Sequence, residues 1–102
     1  MSTTTTKESY RLPSNACLQH VSKLAIVEDK PIMMDYWTAS LEKSDKAAII
    51  GVRENNEKLL VKSSEEYTSP ISKIYSVETE FIVVTENSIY LVASDIARKR
   101  IS

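Results

Sequence analysis

Residues 68–96, which read TSPISKIYSVETEFIVVTENSIYLVASDI, decide the fold of this chain. Short runs of β-branched and aromatic residues alternate here with turn residues, a pattern typical of consecutive strands. It predicts strands at residues 71–77, 80–85 and 88–93, with Glu86 and Asn87 in the last hairpin turn. Few of these residues are of a catalytic type, so we expect a module that binds or assembles and not an enzyme.

The preceding part of the chain continues the β pattern. Alternating apolar residues predict strands at 32–38, 47–53 and 58–62, with a polar connection at 39–46. Asn55 and Asn56 suit a tight hairpin turn because asparagine tolerates the left-handed conformation. The predicted fold class is mainly β: a small β-barrel or β-roll of about five or six antiparallel strands with one short N-terminal helix.

Strand alternation also predicts the direction in which some side chains of these strands face. Strand alternation directs one of Tyr36 and Trp37 towards the core and the other outwards, where an aromatic ring would suit an interface. By the same rule, Leu59 and Val61 face one way and Leu60 faces the other.

The helix is predicted at residues 14–25. Ser14 or Asn15 can cap its start, and Cys17, Val21 and Leu24 recur at helical spacing. An alternative prediction makes residues 24–28 a strand. The Thr-rich residues 1–12 have few apolar side chains and predict a flexible N-terminal arm, or else an arm that docks on a neighbouring subunit. Residues 13–102 then form a single small β domain.

Composition narrows the classes of partner and compartment. The chain has 13 basic and 14 acidic residues, which makes nucleic acid an unlikely partner and argues against a membrane-surface protein. No apolar stretch approaches the roughly 18 residues of a membrane span. The single cysteine excludes an intramolecular disulfide, so we expect a cytoplasmic protein, in the host cell if it is viral.

Two runs predict self-association. Residues 49–50 and 82–84 are apolar on both faces of their strands. One face fills the core, and the other must be covered by the helix or by a second subunit, because large exposed apolar patches are rare on monomers. We therefore expect a homo-oligomer.

Few residues are candidates for catalysis or metal binding. His20 and Cys17 are three positions apart, but two ligands do not make a zinc site, so a buried cysteine and a solvent-facing histidine are the simpler interpretation. Glu65 and its neighbour Glu66 point to opposite faces of a strand. Glu78 and Glu80 flank Thr79 in a turn, where a solvated charge is expected. The sequence predicts no metal and no cofactor.

A ligand site is the remaining possibility. One glycine, Gly51, cannot build a phosphate-binding glycine loop, so an anionic ligand would need arginine forks and aromatic rings. The predicted ligand-binding residues, which could meet at one rim or across a subunit boundary, are Arg53, Phe81, Asn87, Tyr90, Arg98 and Arg100. Alternatively, residues 98–100 are a solubilising tail and Asn87 serves only the turn.

Residues 68–71, 81–85 and 86–90 (TSPI, FIVVT and ENSIY) resemble a module of small phage and viral β-proteins, and are similar to anti-Thoeris sponge proteins. That resemblance implies an oligomer that sequesters a cyclic ADP-ribose signal without cleaving it, with Arg53, Phe81, Asn87 and Arg100 at the matching positions. The predicted function is therefore a non-enzymatic viral binding protein that sequesters a nucleotide-like signalling molecule and so evades host immunity. The alternative is a structural or protein-interaction module with no small-molecule ligand.

Overall fold

The computed structural model describes residues 11–44 and 46–101. Two four-stranded sheets are formed in this part of the chain: sheet A, in the order β1-β7-β6-β5, and sheet B, in the order β4-β3-β2-β8. The elements are α1 (Asn15–Glu28), β1 (Ile32–Met33), α2 (Trp37–Leu41), β2 (Ile49–Val52), β3 (Lys58–Ser63), β4 (Glu66–Tyr67), β5 (Ile71–Val77), β6 (Glu80–Thr85), β7 (Ile89–Ala93) and β8 (Ala97–Arg100). The mainly β prediction is confirmed, but neither sheet closes into a barrel.

The sequence predicts that all strands are antiparallel, and this is wrong for two pairs. β1 runs parallel to β7, and β8 runs parallel to β2. Both exceptions are edge strands whose partners lie far away in the sequence, and parallel pairing needs such a long connection between the paired strands. Neither helix in the described residues has the length and apolar character needed to cross a membrane.

Sheet A is the middle of three layers. On one face, Ile82 and Val84 pack with Cys17 and Val21 of α1. On the other face, Val83 joins a second core cluster that includes the Ile50 and Leu60 side chains of sheet B. The apolar run at residues 82–84 is therefore covered on both sides within one chain, and it no longer argues for a second subunit.

Helix α1 is confirmed and is longer than predicted. The Ser14 hydroxyl accepts a hydrogen bond from the Cys17 backbone N–H at 3.1 Å, and Asp29 ends the helix in the left-handed conformation (φ 56°). The helix therefore includes residues 24–28, and the alternative of a strand there is wrong. Two of its last residues, Ile26 and Val27, are 81% and 77% exposed. A solvent-facing apolar pair of this kind obscures the helical periodicity in the sequence.

The strand predicted at residues 32–38 is wrong after Met33. The Trp37 backbone N–H donates to the Met34 carbonyl at 3.1 Å, and α2 begins at Trp37. Tyr36 and Trp37 are both buried, one in each core cluster, so the expectation that one ring faces outwards is also wrong. Successive side chains around a helical turn are about 100° apart, which lets neighbouring rings enter two different clusters.

The remaining strands follow the prediction closely. β5 and β6 have the predicted bounds, and Asn56 adopts φ 68° in the β2–β3 hairpin. Two strands were missed. β4 has only two residues, and β8 consists largely of the basic residues 98–100, which the sequence predicts as ligand-binding residues or, alternatively, a solubilising tail. β4 and β8 form by pairing with β3 and β2, respectively. Short charged segments have little apolar alternation, so their sequences do not indicate strands.

Glu80 was expected to be a solvated charge, and this is wrong: its side chain is completely buried. Its Oε2 accepts hydrogen bonds from Arg11 Nη1 and Thr79 Oγ1, both at 2.6 Å, and its Oε1 accepts from the Ser14 backbone N–H at 3.3 Å. Burial acts to raise the pKa of Glu80, but the hydrogen bonds from Thr79, Arg11 and Ser14 outweigh it and hold the pKa below its usual value. Arg11, within the predicted arm, is thus anchored, while residues 1–10 lie outside the described residues.

Candidate functional site

The face of sheet B that points away from sheet A carries a groove of about 440 Å³, here called the outer groove. Leu60 points into the core, so the alternation of β3 directs Leu59 and Val61 to the opposite face. These two side chains line the groove together with Ile101, which gives the site an apolar floor. The polar residues that line it are Arg53, Ser63, Ser64 and Tyr67.

Gly51 shapes this floor. A Cβ atom at position 51 would lie 2.7 Å from Ile101 Cδ1 and 3.1 Å from Val61 Cγ2. The Ile101 backbone N–H donates to the Val52 carbonyl at 3.0 Å, which fixes the end of the chain beside β2. Because glycine has no side chain, Ile101 can lie directly against the strand, in the groove floor that also includes the buried Leu59.

Arg53 contributes a positive charge to the outer groove. It follows β2 directly and is held by the tight turn of the hairpin, where its backbone N–H donates to the Glu57 carbonyl at 2.8 Å. Its Nη1 also donates to Glu57 Oε1 at 2.9 Å, while the side chain remains 44% exposed. An exposed ion pair of this kind is weak, so the guanidinium can exchange its carboxylate for an anionic ligand.

Tyr67 contributes an aromatic ring. It lies on β4 in register with Val61, so both side chains lie on the outer face, and the ring is 55% exposed. An exposed ring beside an apolar floor is a surface on which a planar group can stack. The sequence prediction missed Tyr67 because the two-residue strand that places it gives no periodic signal.

A second groove, of about 450 Å³, adjoins the outer groove and shares Val61, Ser63 and Ser64 with it. Lys43 on its wall is paired with Asp95 at 2.6 Å. Lys99, also on the wall, forms no ion pair with the described residues. The two grooves thus adjoin through these shared residues, with Lys99 lining one and Arg53, paired with Glu57, lining the other.

Of the predicted ligand residues, the structure brings Arg98 and Phe81 together. The guanidinium carbon of Arg98 lies 6.0 Å from the centre of the Phe81 ring. Arg98 and Arg100 are in register with Ile50 and Val52, so alternation places them on the opposite side of β8 from Lys99. Both are exposed on edge strand β8, and neither lines the outer groove.

Tyr90 and Asn87 do not line the outer groove, although Tyr90 packs against the same core cluster as Phe81. The Tyr90 ring packs edge-on against Tyr36, with centres 5.3 Å apart, and burial raises its pKa above the usual value. Asn87 is exposed in the β6–β7 turn, which the Thr85 and Ser88 backbones close with a 2.9 Å hydrogen bond. From Phe81 to Thr85 the strand extends about 13 Å, and Asn87 lies beyond that end. The structure therefore does not bring Asn87 to Phe81.

Cys17 and His20, the residues considered for catalysis or metal binding, differ in burial. Cys17 is fully buried, and burial, with smaller contributions from Glu80 and Glu78, raises its pKa to about 11, so it remains a thiol at neutral pH. His20 is exposed on α1, which confirms the simpler interpretation of this pair. Among residues 11–44 and 46–101, no cluster of three His, Cys, Asp or Glu side chains is arranged to hold a metal ion.

Comparison with known proteins gives no further assignment: no protein family, no curated protein and no solved structure matches this chain. The resemblance to phage sponge proteins therefore stays a prediction.

Proposed function

We propose that this protein is a non-enzymatic binding protein that holds a nucleotide-like anion in the outer groove of sheet B. The observation that carries the proposal is that Arg53 and the exposed Tyr67 ring border the same apolar floor. Ligand sites commonly combine an apolar surface with a few well-placed polar groups in a concavity of this size.

Each group has a specific task in this proposal. The Tyr67 ring stacks on the base, and Arg53 pairs with a phosphate through its planar fork. The hydroxyls of Ser63 and Ser64 are hydrogen-bond partners for the sugar or the phosphate. Lys99, which lines the adjoining groove, attracts a second negative group of the ligand over a longer distance.

The composition of the outer groove supports sequestration over turnover. Its described lining residues include the hydroxyls of Ser63 and Ser64 but no histidine or carboxylate that could act as a general base to activate them. A ligand held there would be released unchanged, as the resemblance at residues 68–90 also implies. In this proposal the protein is viral and acts in the reducing interior of the host cell, an environment that keeps thiols such as that of Cys17 reduced.

The test is thermal unfolding of the purified protein against a panel of nucleotides and cyclic nucleotide signals. A ligand at 100 times its dissociation constant should stabilise the fold by about 2.7 kcal/mol, an upward shift of several degrees. Arg53→Ala and Tyr67→Ala should abolish the shift, while Lys23→Ala, on the distant helix α1, should preserve it. Mass spectrometry should recover the ligand intact. An undiminished shift in both groove variants, or a cleaved ligand, would contradict the proposal.

A structural or protein-interaction role is the second candidate, and a different surface favours it. Apolar side chains at the end of α1 and around β1 face solvent, and contiguous patches of this type mark protein interfaces. They are Ile26, Val27, Ile32, Met33 and Met34. This role predicts no thermal shift with any compound of the panel, and a partner complex, identified by mass spectrometry, that Ile26→Lys abolishes and Lys99→Ala does not.

A further inference from the structure

The four sheet edges of the described chain differ in how they are protected. β1 and β4 have two residues each, and β8 is a four-residue strand with three basic side chains. β5 is a seven-residue edge strand. Short or strongly charged edges resist pairing with another strand, whereas a long edge with few charges invites it. The stretch of β5 after its irregularity at Ile71–Lys73 is regularly paired with β6 on one side and open on the other.

A groove of about 530 Å³ runs beside this edge, between β5 and helix α1. Tyr75 and Val77 line it from the strand, and His20 and Leu24 line it from the helix. Tyr75 and Val77 are only partly buried, although they pack against the helix-side core. The edge thus offers unpaired backbone groups together with partly exposed side chains, the combination that strand addition uses.

We propose that a second copy of this chain pairs with β5 in antiparallel orientation, so that the two A sheets join into one continuous sheet. A two-fold axis perpendicular to the sheet keeps each side chain on its own face, so residues on the same face must pair. In the register we propose, the axis passes beside Tyr75, at the middle of residues 73–77, so Tyr75 faces Tyr75 of the partner copy and Lys73 lies opposite Val77 of the partner copy. Aromatic cross-strand pairs of this kind are favourable.

Charge complementarity selects a second copy as the occupant. Lys73 shares the helix-side face with Tyr75 by alternation. Glu78, which follows β5 directly, lines the groove beside Tyr75 and Val77. Lys73 and Glu78 are exposed, and neither forms an ion pair with another described residue. In the antiparallel pair, Lys73 of each copy lies beside Glu78 of the other, so the contact forms twice. This surface is on sheet A, and the inference does not depend on a ligand in sheet B.

The experiment is sedimentation velocity over a concentration series with a charge-swap design. The wild-type protein should be a dimer. Lys73→Glu or Glu78→Lys alone should weaken the dimer roughly tenfold or more, because each creates two like-charge contacts. The double variant Lys73→Glu/Glu78→Lys should restore wild-type association. Lys99→Glu, the same change on the β8 edge, should leave association unchanged. Circular dichroism should show that every variant is folded, since all three positions are exposed.

Three results would overturn the inference. The first is a wild-type monomer at millimolar concentration, which would leave β5 to another occupant such as an extended peptide. The second is a dimer that neither single reversal weakens, which would place the interface elsewhere, for example at Ile26 and Met33. The third is a failure of the double variant to recover. Thermal unfolding of Lys73→Glu with ligand separates the two proposals. If the ligand still raises the unfolding temperature of this variant, binding at the groove in sheet B does not depend on the dimer.

Discussion

Sheet A and sheet B have four strands each, but the two sheets are covered differently. Sheet A is enclosed between α1 and sheet B, and its residues Ile82, Val83 and Val84 are 0–2% exposed. Sheet B is covered on one face only, and its other face carries the outer groove with the exposed Tyr67 ring. We therefore expect truncations in the enclosed sheet to destabilise the fold more than truncations on the open face of sheet B, which is the surface proposed to bind the ligand.

The largest expected effect comes from the same truncation made in both sheets. Ile82→Ala should lower the free energy of unfolding by about 4 kcal/mol, because it leaves a cavity in the enclosed sheet. Ile49→Ala, at a half-buried position on the outer face of sheet B, should cost about 1 kcal/mol. Chemical denaturation of both variants measures the contrast. Equal losses would contradict this expected difference between the sheets.

The buried Glu80 gives the next largest effect. Glu80→Gln should destabilise the fold by about 2 kcal/mol, because Arg11 and Thr79 lose a charged acceptor. This figure is below the range for a fully buried ion pair, since the Arg11 side chain is 45% exposed and partly screened by water. Glu65→Gln, at an exposed position, is the control and should have almost no effect on urea unfolding.

The same carboxylate predicts how stability depends on pH. The folded pKa of Glu80 is below its ordinary value, so its contribution is fully present above about pH 4.3, the value in an unfolded chain. The contribution is lost as the pH falls through the folded pKa. In urea titrations between neutral and strongly acidic pH, the wild-type protein should therefore lose more stability than Glu80→Gln. Parallel curves would show that Glu80 is not the acid-sensitive group.

The smallest expected effect sharpens the comparison on the sheet B side. Gly51→Ala should cost about 1 kcal/mol, because its Cβ would push against Ile101 in the groove floor. The double variant Gly51→Ala/Ile101→Ala should recover part of that loss if the contact is the cause. Thermal unfolding measures both changes. No loss in Gly51→Ala would mean that Ile101 does not lie against the strand.

The two sheets also differ in how well the sequence predicts them. β5 and β6 were found at their bounds because their own alternation and turn residues specify them. β8 was missed because residues 97–100 form a strand only by pairing with β2. That pairing joins distant parts of the chain, so the local sequence does not indicate it. The start of α2 at Tyr36 and Trp37 was missed because aromatic residues locally favour strands. In the fold, the helical turn lets the two neighbouring rings enter separate core clusters.

The candidate site was predictable in its chemistry and not in its geometry. The choice of arginines and aromatic rings as the binding groups identified Arg53, the one predicted residue that lines the outer groove. Sequence spacing alone gives no measure of which strand ends meet, so Asn87 was grouped with residues that the fold keeps apart. Tyr90 packs against the same core cluster as Phe81 but does not line the outer groove with Arg53. Tyr67 was missed because its position beside Val61 depends on the β3–β4 register.

The most direct test of the central claim is amide chemical-shift mapping with the nucleotide that gives the largest thermal shift. The account predicts perturbations on the outer face of sheet B, at Arg53, Leu59, Val61, Tyr67 and Ile101, with sheet A unchanged. Perturbations confined to sheet A or to α1, with none around Arg53 and Tyr67, would contradict it.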